Sequence, residues 1–167
     1  KLSWLQKAKL HWLKKAAPLF AGPVFTPVEQ EAQQASLQRL GLNQGQFILF
    51  NAGSGGHRLG KELAADHFAA LASRAADQSE LTMVMVYGVN YPGTPPELPG
   101  VVSIKQMANQ EFINLLAAAR GAVLSGGDGL LQAISLQKPT LAVPVSKDQP
   151  ARIRACVRQG VILDSDT

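Results

Sequence analysis

A glycine-rich run at residues 52–58 holds the first residues that could do chemistry. It separates a short apolar run from a region with helical periodicity, so we expect it to join a strand to a helix. Glycines let the backbone approach a ligand closely, and the amino end of a helix offers free N–H groups and a positive dipole end. The run predicts a phosphate-binding loop, with a tight turn that binds nothing as the alternative. Its candidate ligand-binding residues are Gly53, Ser54, Gly55, Gly56, His57 and Arg58.

Two known phosphate-binding patterns fail at this run. Gly55, Gly60 and Lys61 have the spacing of the phosphate loop of nucleoside triphosphatases. Glu62 then occupies the position where a Ser or Thr hydroxyl should bind magnesium. The dinucleotide-binding fingerprint also fails, because Arg58 stands where the third glycine belongs and no acidic residue closes the second strand. A phosphate-loop kinase is therefore the least favoured class of enzyme.

A second glycine run, at residues 125–129, also lies between a predicted strand and a predicted helix. Its candidate ligand-binding residues are Ser125, Gly126, Gly127 and Asp128. The carboxylate of Asp128 would repel a bound phosphate at short range. This side chain could instead cap the following helix by accepting backbone N–H bonds, and both roles stay open.

A third candidate pair, Asp148 and Gln149, follows the fifth predicted strand. Both side chains can accept hydrogen bonds from sugar hydroxyls, and the amide of Gln149 can also donate. The pair therefore predicts sugar contacts. The alternative for Asp148 is that it is only the N-cap of the next helix.

Short apolar runs alternate with helical patterns from Gln46 onward. The predicted strands cover residues 47–51, 81–87, 101–104, 122–125, 140–145 and 161–163. The predicted helices cover residues 61–76, 110–119, 129–136 and 149–159. This alternation predicts an α/β fold with a Rossmann-like parallel sheet and helices on both faces. Ligands of such sheets bind beyond the carboxyl ends of the strands, where all three candidate sites lie.

The composition excludes several classes of protein. With 46% hydrophobic and 17% charged residues, the 167-residue chain can bury a core and is not a disordered tail. The net charge of +4 comes from five lysines among the first fifteen residues, which leaves eleven basic against twelve acidic residues in the remainder. A nearly neutral domain argues against a nucleic-acid-binding face. The single Cys156 excludes an internal disulfide, fits a cytoplasmic location and is interpreted as an unreactive thiol.

Residues 1–45 are predicted to form a basic N-terminal helix and a Pro/Gly linker, ahead of a Rossmann-like domain at residues 46–167. Within them we expect helices at 3–16 and 28–40. Trp4 and Trp12 lie beside the five lysines, so residues 1–15 could contact the inner face of an anionic membrane. We favour a second interpretation, a helix at a domain junction, because Lys9 and Lys15 interrupt the apolar face.

The later motifs resemble, in order and spacing, the C-terminal nucleotide-sugar-binding domain of GT-B-fold glycosyltransferases. These motifs are residues 124–127, 132–133, 138–139, 143–144, 148–149 and Gly160. Together with the first glycine loop, the resemblance runs from about Gln46 to Leu163. It extends to the peptidoglycan N-acetylglucosaminyltransferase, UDP-glycosyltransferase and pseudaminate-pathway UDP-sugar hydrolase families.

The resemblance implies a UDP-sugar donor in a cleft, with its diphosphate near residues 125–128 and no metal or cofactor. Gln132 stands where the family has a Glu that binds the ribose hydroxyls. Leu124 stands where some members have a His, and Gln137 where a small residue precedes Lys-Pro. The family's second, N-terminal domain binds the acceptor and often supplies the catalytic base, so no catalytic residue is assigned within this chain.

The sequence thus predicts the donor-binding half of a glycosyltransferase, with the nucleotide sugar and an N-terminal acceptor domain as its partners and no nucleic acid. Two alternatives remain open. One is a nucleotide-sugar hydrolase or epimerase on the same fold. The other is a non-catalytic domain that only binds a sugar nucleotide or a protein partner, which the departures at Gln132 and Leu124 would suit.

Overall fold

The computed structural model describes residues 3–13 and 25–164 of the chain. The helices are α1 (Trp4–Trp12), α2 (Gln30–Leu40), α3 (Ala64–Ala76), α4 (Asn109–Ala118), α5 (Asp128–Ser135) and α6 (Gln149–Arg158). The strands are β1 (Phe47–Asn51), β2 (Arg58–Leu59), β3 (Glu62–Leu63), β4 (Thr82–Val86), β5 (Val101–Ile104), β6 (Gly121–Ser125), β7 (Thr140–Val143) and β8 (Leu163–Asp164).

Six of the strands form one sheet in the order β5-β4-β1-β6-β7-β8, and every neighbouring pair is parallel. Along β1, Phe47 and Leu49 point into one core cluster while Ile48 and Phe50 contact the other. Successive side chains of a strand point to opposite faces, so both faces of this sheet are apolar and need a covering layer.

Helices supply that layer on both sides of the sheet. Leu115 and Leu116 of α4 join the cluster that contains Phe47, whereas Phe68 of α3 joins the cluster that contains Phe50. Helix α2 packs on α4 and adds Leu37 to the same side. The predicted α/β fold, a Rossmann-like parallel sheet with helices on both faces, is confirmed.

The order of the strands places the candidate loops at one edge. After β1 the chain builds β4 and β5 on one side, and then crosses to β6, β7 and β8 on the other. The order therefore switches between β1 and β6. A crevice outside the carboxyl ends of two such strands is where ligands bind in open α/β sheets.

Several predicted bounds were wrong in detail. Residues 61–63 were expected to begin a helix, but β2 and β3 form a small antiparallel hairpin and α3 starts at Ala64. The fifth predicted strand ends at Val143 rather than Val145. The helix expected over residues 3–16 is α1, which covers Trp4–Trp12 and is followed by a turn at Leu13. Residues 14–16 of that helix, and the linker positions Pro18, Gly22 and Pro23, lie outside the described residues.

The region before β1 contributes to the fold in its described part. Gln33, Ser36 and Leu37 of α2 are buried, and the Gln33 amide donates to the backbone oxygen of Asn114 at 2.7 Å. The domain boundary at residue 45 stays a prediction. Among the described helices, none has the length and apolar content needed to cross a membrane.

Candidate functional site

A cleft of about 1000 Å³ opens at the carboxyl edge of the sheet, beside β1 and β4. Its lining combines the first glycine loop, the end of β4, the loop before α4, the amino end of α5 and a segment that precedes α2. Four of the sequence-predicted site residues line it, namely Gly53, Ser54, Asp128 and Gln132. Its volume is at the upper end of the range usual for small-molecule sites.

Asn51, the last residue of β1, holds the first glycine loop at the cleft. Its side-chain oxygen accepts a hydrogen bond from Gly53 N at 2.9 Å, and its side-chain nitrogen donates to Val86 O at 2.8 Å. The amide thus ties the loop after β1 to the end of β4. Sequence reasoning did not single out Asn51, although an Asn before a glycine loop is a common means of hydrogen-bonding a turn.

Close packing, rather than only ligand access, explains one glycine of this loop. Gly55 has φ +91°, and a Cβ placed on it would lie 2.5 Å from Tyr87 O. The neighbouring Ser54 accepts a backbone hydrogen bond from Asn90 N at 2.8 Å. The loop is therefore packed and hydrogen-bonded against residues 87–91, and these contacts contribute to its shape.

Gln149 of α6 holds the second glycine loop in place by hydrogen bonds to backbone. Its side-chain oxygen accepts hydrogen bonds from Gly126 N at 3.1 Å and Val145 N at 2.8 Å, and the residue is only 5% exposed. A Cβ on Gly126 would lie 2.9 Å from the Gln149 Cβ and 3.0 Å from Ile153, so α6 packs tightly under the loop. Gln149 thus binds the protein backbone through this oxygen, and its predicted contact with a sugar stays a prediction.

The two glycine loops meet across the switch in strand order. A Cβ on Gly53 would lie 3.3 Å from the hydroxyl oxygen of Ser125, which is itself buried. Helix α5 begins immediately after the second loop, with Gly127 at its N-cap position. The amino end of α5 therefore opens into the cleft at Asp128 and Gly129.

The proposed capping roles of two aspartates are not seen. Gly127 is the N-cap of α5, and no side chain caps that helix, so Asp128 is free of the capping role and lies exposed in the cleft. Asp148 stands at the N-cap position of α6 but makes no capping bond there. It accepts a hydrogen bond from the Ser146 hydroxyl at 2.5 Å instead.

His57, Arg58 and Asp148 lie outside the cleft lining. Arg58 donates to Lys61 O at 2.6 Å and so closes the β2–β3 hairpin. The hydrogen bond from Ser146 is the main reason why the pKa of Asp148 is lowered, with smaller contributions from the charges of Arg152 and His57. His57 and Asp148 are thus electrostatic neighbours, and the His57 ring lies 3.9 Å from a Cβ placed on Gly53 of the cleft wall.

Gln132 is buried on α5, with both ends of its amide bonded to the backbone of Thr26. Its Oε1 accepts from Thr26 N at 3.1 Å, and its Nε2 donates to Thr26 O at 3.1 Å. These bonds join residues 106 positions apart in the chain. The contact between Gln132 and a ribose stays a prediction.

Sequence reasoning missed fourteen of the eighteen residues that line the cleft. The unpredicted lining residues are Phe25, Thr26, Asn51, Val86, Gly88, Val89, Gln106, Met107, Ala108, Asn109, Phe112, Ile113, Gly129 and Leu131. The loop of residues 106–108 follows β5, so its place after a predicted strand was an available signal. No group of three His, Cys, Asp or Glu side chains suited to a metal ion occurs within residues 3–13 and 25–164.

No protein-family profile and no curated protein sequence matches this chain. Solved structures do resemble it. The glycotransferase of kitacinnamycin matches with a TM-score of 0.57 and 19% identity, over 73% of this chain and 30% of that one. The glycosyltransferase SnogD from Streptomyces nogalater matches with a TM-score of 0.50 and 18% identity, over 89% and 36% of the two chains.

A third similar structure is the UDP-GlcNAc 2-epimerase from Neisseria meningitidis bound to UDP-GlcNAc, with a TM-score of 0.51 and 15% identity over 95% of this chain and 37% of that one. The chain spans about a third of the length of these three proteins. At such identities the likeness shows the fold alone. The resemblance expected from the sequence is confirmed at that level, since this chain has the fold of one Rossmann-like half of the GT-B glycosyltransferases and of the epimerase.

Proposed function

We propose that the cleft binds a UDP-linked sugar, and that this chain is the donor-binding half of a glycosyltransferase. The observation that carries the proposal is the meeting of two glycine loops with the amino end of α5 at the switch in strand order. A helix N-terminus favours negative charge, and loop backbone can approach a diphosphate closely.

We assign the diphosphate to the space between Gly53, Ser54 and the amino end of α5, with Ser125, Gly126 and Gly127 forming the adjoining loop. The carboxylate of Asp128 would repel a phosphate at contact distance. We therefore assign Asp128 to hydroxyl groups of the ligand. His57 and Asp148, which lie outside the cleft lining, are assigned to the sugar end.

The proposed reaction needs a second domain. An acceptor hydroxyl attacks the anomeric carbon, the bond from that carbon to the diphosphate breaks, and a base outside this chain removes the hydroxyl proton. The helix end and loop N–H groups stabilise the negative charge that develops on the leaving UDP. The single cysteine leads us to place the reaction in the cytoplasm.

A nucleotide-sugar epimerase or hydrolase is the second candidate function. The fold likeness to an epimerase bound to UDP-GlcNAc favours keeping it. Incubation of the chain with its second domain and a radiolabelled UDP-sugar distinguishes the candidates by product. A glycosylated acceptor supports transfer, an isomeric UDP-sugar supports epimerisation, and free sugar without an acceptor supports hydrolysis.

Calorimetric titration of the chain with UDP and with ATP tests the binding site. Gly129 lines the cleft, and a Cβ on it would lie 3.6 Å from Phe112 at ordinary contact distance. Gly129→Leu should therefore fill the cleft without unfolding α5 and lower the UDP affinity at least about tenfold. Ala151→Leu, on the exposed face of α6, is the matched control. UDP binding unaffected by Gly129→Leu, or preference for ATP, would contradict the proposal.

A further inference from the structure

Residues 25–29, which we call the strap, form part of the cleft wall and are hydrogen-bonded to two helices. Gln132 of α5 binds both backbone groups of Thr26. From α4, the Gln110 amide donates to Pro27 O at 2.8 Å, and Asn114 accepts from Glu29 N at 3.0 Å. The strap is thus held at successive backbone positions by side chains from distant parts of the chain.

The hydrogen-bonding capacity of Gln132 is nearly used up by these contacts. An amide side chain has two N–H donors and one oxygen with two lone pairs. One donor binds Thr26 O, the other lies 3.4 Å from the Ser135 hydroxyl, and the oxygen accepts from Thr26 N. With 7% exposure, Gln132 has a single lone pair left for any ligand and little surface through which to offer it.

Asn114 shows that the strap contact is maintained at a cost. The residue is 1% exposed, and its side-chain oxygen accepts from Glu29 N at 3.0 Å and from the Gln110 amide at 3.2 Å. Its side-chain nitrogen is buried and has no partner among the described residues. A buried donor left unpaired is unfavourable, so the orientation of this amide is dictated by the strap.

We infer that Gln132 is a positioning residue, which fixes the strap as a permanent wall of the cleft, and that Phe25 and Thr26 are the groups this wall presents to the ligand. Phe25 is partly exposed and lines the cleft together with Phe112. An aromatic ring and a hydroxyl suit the apolar face and polar edges of a nucleoside. The identity of that ligand rests on the proposed function, whereas the positioning role does not.

Amide hydrogen exchange on the ligand-free chain tests the positioning role. Gln132→Met keeps the side-chain length but cannot hydrogen-bond, so exchange of the Thr26 amide should accelerate about fivefold, the equivalent of one lost neutral hydrogen bond. The Glu29 amide should stay protected through Asn114. Thr26→Val is the control, because it removes only the hydroxyl and should leave the exchange of residue 26 slow. Unchanged exchange at Thr26 in Gln132→Met would overturn the inference.

UDP titration of a double-mutant cycle then tests whether the strap, held by Gln132, contributes to ligand binding as a wall of the cleft. Thr26→Pro removes the backbone donor to Gln132 and also the hydroxyl, so its UDP affinity is compared with that of Thr26→Val, which lacks only the hydroxyl. Gln132→Met and Thr26→Pro should each weaken UDP binding about fivefold, and the double variant should lose no more than either one. Weakening by Gln132→Met alone would mark a direct ligand contact, and tighter binding by Thr26→Pro would mark an obstructing strap; both contradict the inference. If the unaltered chain binds no UDP, the proposed function fails while the exchange result still decides the role of Gln132.

Discussion

The side-chain oxygen of Gln149 lies 3.1 Å from Gly126 N and accepts its hydrogen bond in the buried floor of the second glycine loop. The same oxygen accepts from Val145 N, at the end of the neighbouring strand segment. One side chain therefore sets the spacing between the loop after β6 and the loop after β7. In this Asp-Gln pair, which resembles a sugar-binding motif, Gln149 therefore supports the backbone of both loops.

Replacing Gln149 with Met should destabilise the domain. The substitution keeps the volume but leaves two buried N–H groups without an acceptor, and each such group costs about 1–3 kcal/mol. We expect the free energy of unfolding, measured by urea denaturation, to fall by about 2 kcal/mol or more. Gln38→Met on the exposed face of α2 is the control and should change it by less than about 0.5 kcal/mol. Equal effects of the two substitutions would contradict the supporting role.

Gln137 is the one described residue other than glycine with a positive φ, at 53°. It follows α5 just before Lys138 and Pro139, the place where the resembling family has a small residue. Left-handed backbone costs a residue with a Cβ about 1–2 kcal/mol, and glycine escapes most of that cost.

Gln137→Gly should therefore raise the free energy of unfolding by about 1 kcal/mol. Gln137→Ala keeps a Cβ and should bring no gain, which makes it the matched control. Thermal and urea unfolding of the three proteins would measure the difference. A loss of stability in the glycine variant would show that the side chain of Gln137 contributes more than its backbone strain costs.

The sheet was predictable from the sequence because it depends on local patterns. Met83–Met85 alternate between the two faces within a continuous apolar run, and such runs between turn residues are typical of buried parallel strands. The β2–β3 hairpin was not, since strands of two residues have no measurable periodicity. The pattern after residue 60 therefore predicted a helix that starts three residues too early.

Most of the cleft lining was not predicted, and part of it depends on contacts that no local pattern encodes. The loops at Gly53 and Ser125 were placed correctly at strand ends, because parallel strands bring their carboxyl ends to one edge. The contact between Thr26 and Gln132 spans 106 positions and uses backbone groups of a Pro-flanked segment. Gln149 was interpreted from its residue type and Gln132 from its position in the resembling family. Neither criterion distinguishes an amide that binds a ligand from one that binds backbone.

The tyrosines provide a pH test of the loop packed against the first glycine run. Tyr91 donates a hydrogen bond to Asp66 at 2.8 Å, and burial followed by this carboxylate raises its pKa to about 12. Burial also raises the pKa of Tyr87, the only other tyrosine of the chain. Absorbance at tyrosinate wavelengths should therefore show less ionised tyrosine at pH 10 in the folded chain than in the urea-unfolded chain, whose tyrosines should titrate near their ordinary pKa of about 10.

The raised pKa of Tyr91 makes the free energy of unfolding fall at high pH. The folded state keeps the Tyr91 proton in a range where the unfolded state loses it, so the contribution of Tyr91 to stability is complete below about pH 10 and declines toward pH 12. Asp66→Asn should lower the pKa of Tyr91, since the neutral amide no longer repels the phenolate. Asp77→Asn, at the exposed end of α3, is the control. Half-ionisation near pH 10 in the folded chain would refute the assignment.

Tryptophan fluorescence reports on α1 alone, since Trp4 and Trp12 are the only tryptophans. They are 75% and 82% exposed, so their emission should resemble that of the urea-unfolded chain. We expect α1 to pack at a domain junction rather than on lipid, so anionic vesicles at physiological salt should leave the emission unchanged. A blue shift would instead establish a membrane contact through the lysine-rich residues 1–15, provided that anionic but not neutral vesicles produce the shift and that salt reverses it.

We propose above all that the cleft where the two glycine loops meet binds a UDP-linked sugar. NMR titration of the labelled chain with UDP tests it most directly, because each backbone amide reports its own environment. We expect UDP to produce the largest shifts at Gly53, Ser54, Asp128 and Gly129, and ATP to produce smaller shifts or none. Shifts of equal or greater size with ATP, centred on Lys61, or UDP shifts that avoid these residues, would contradict it.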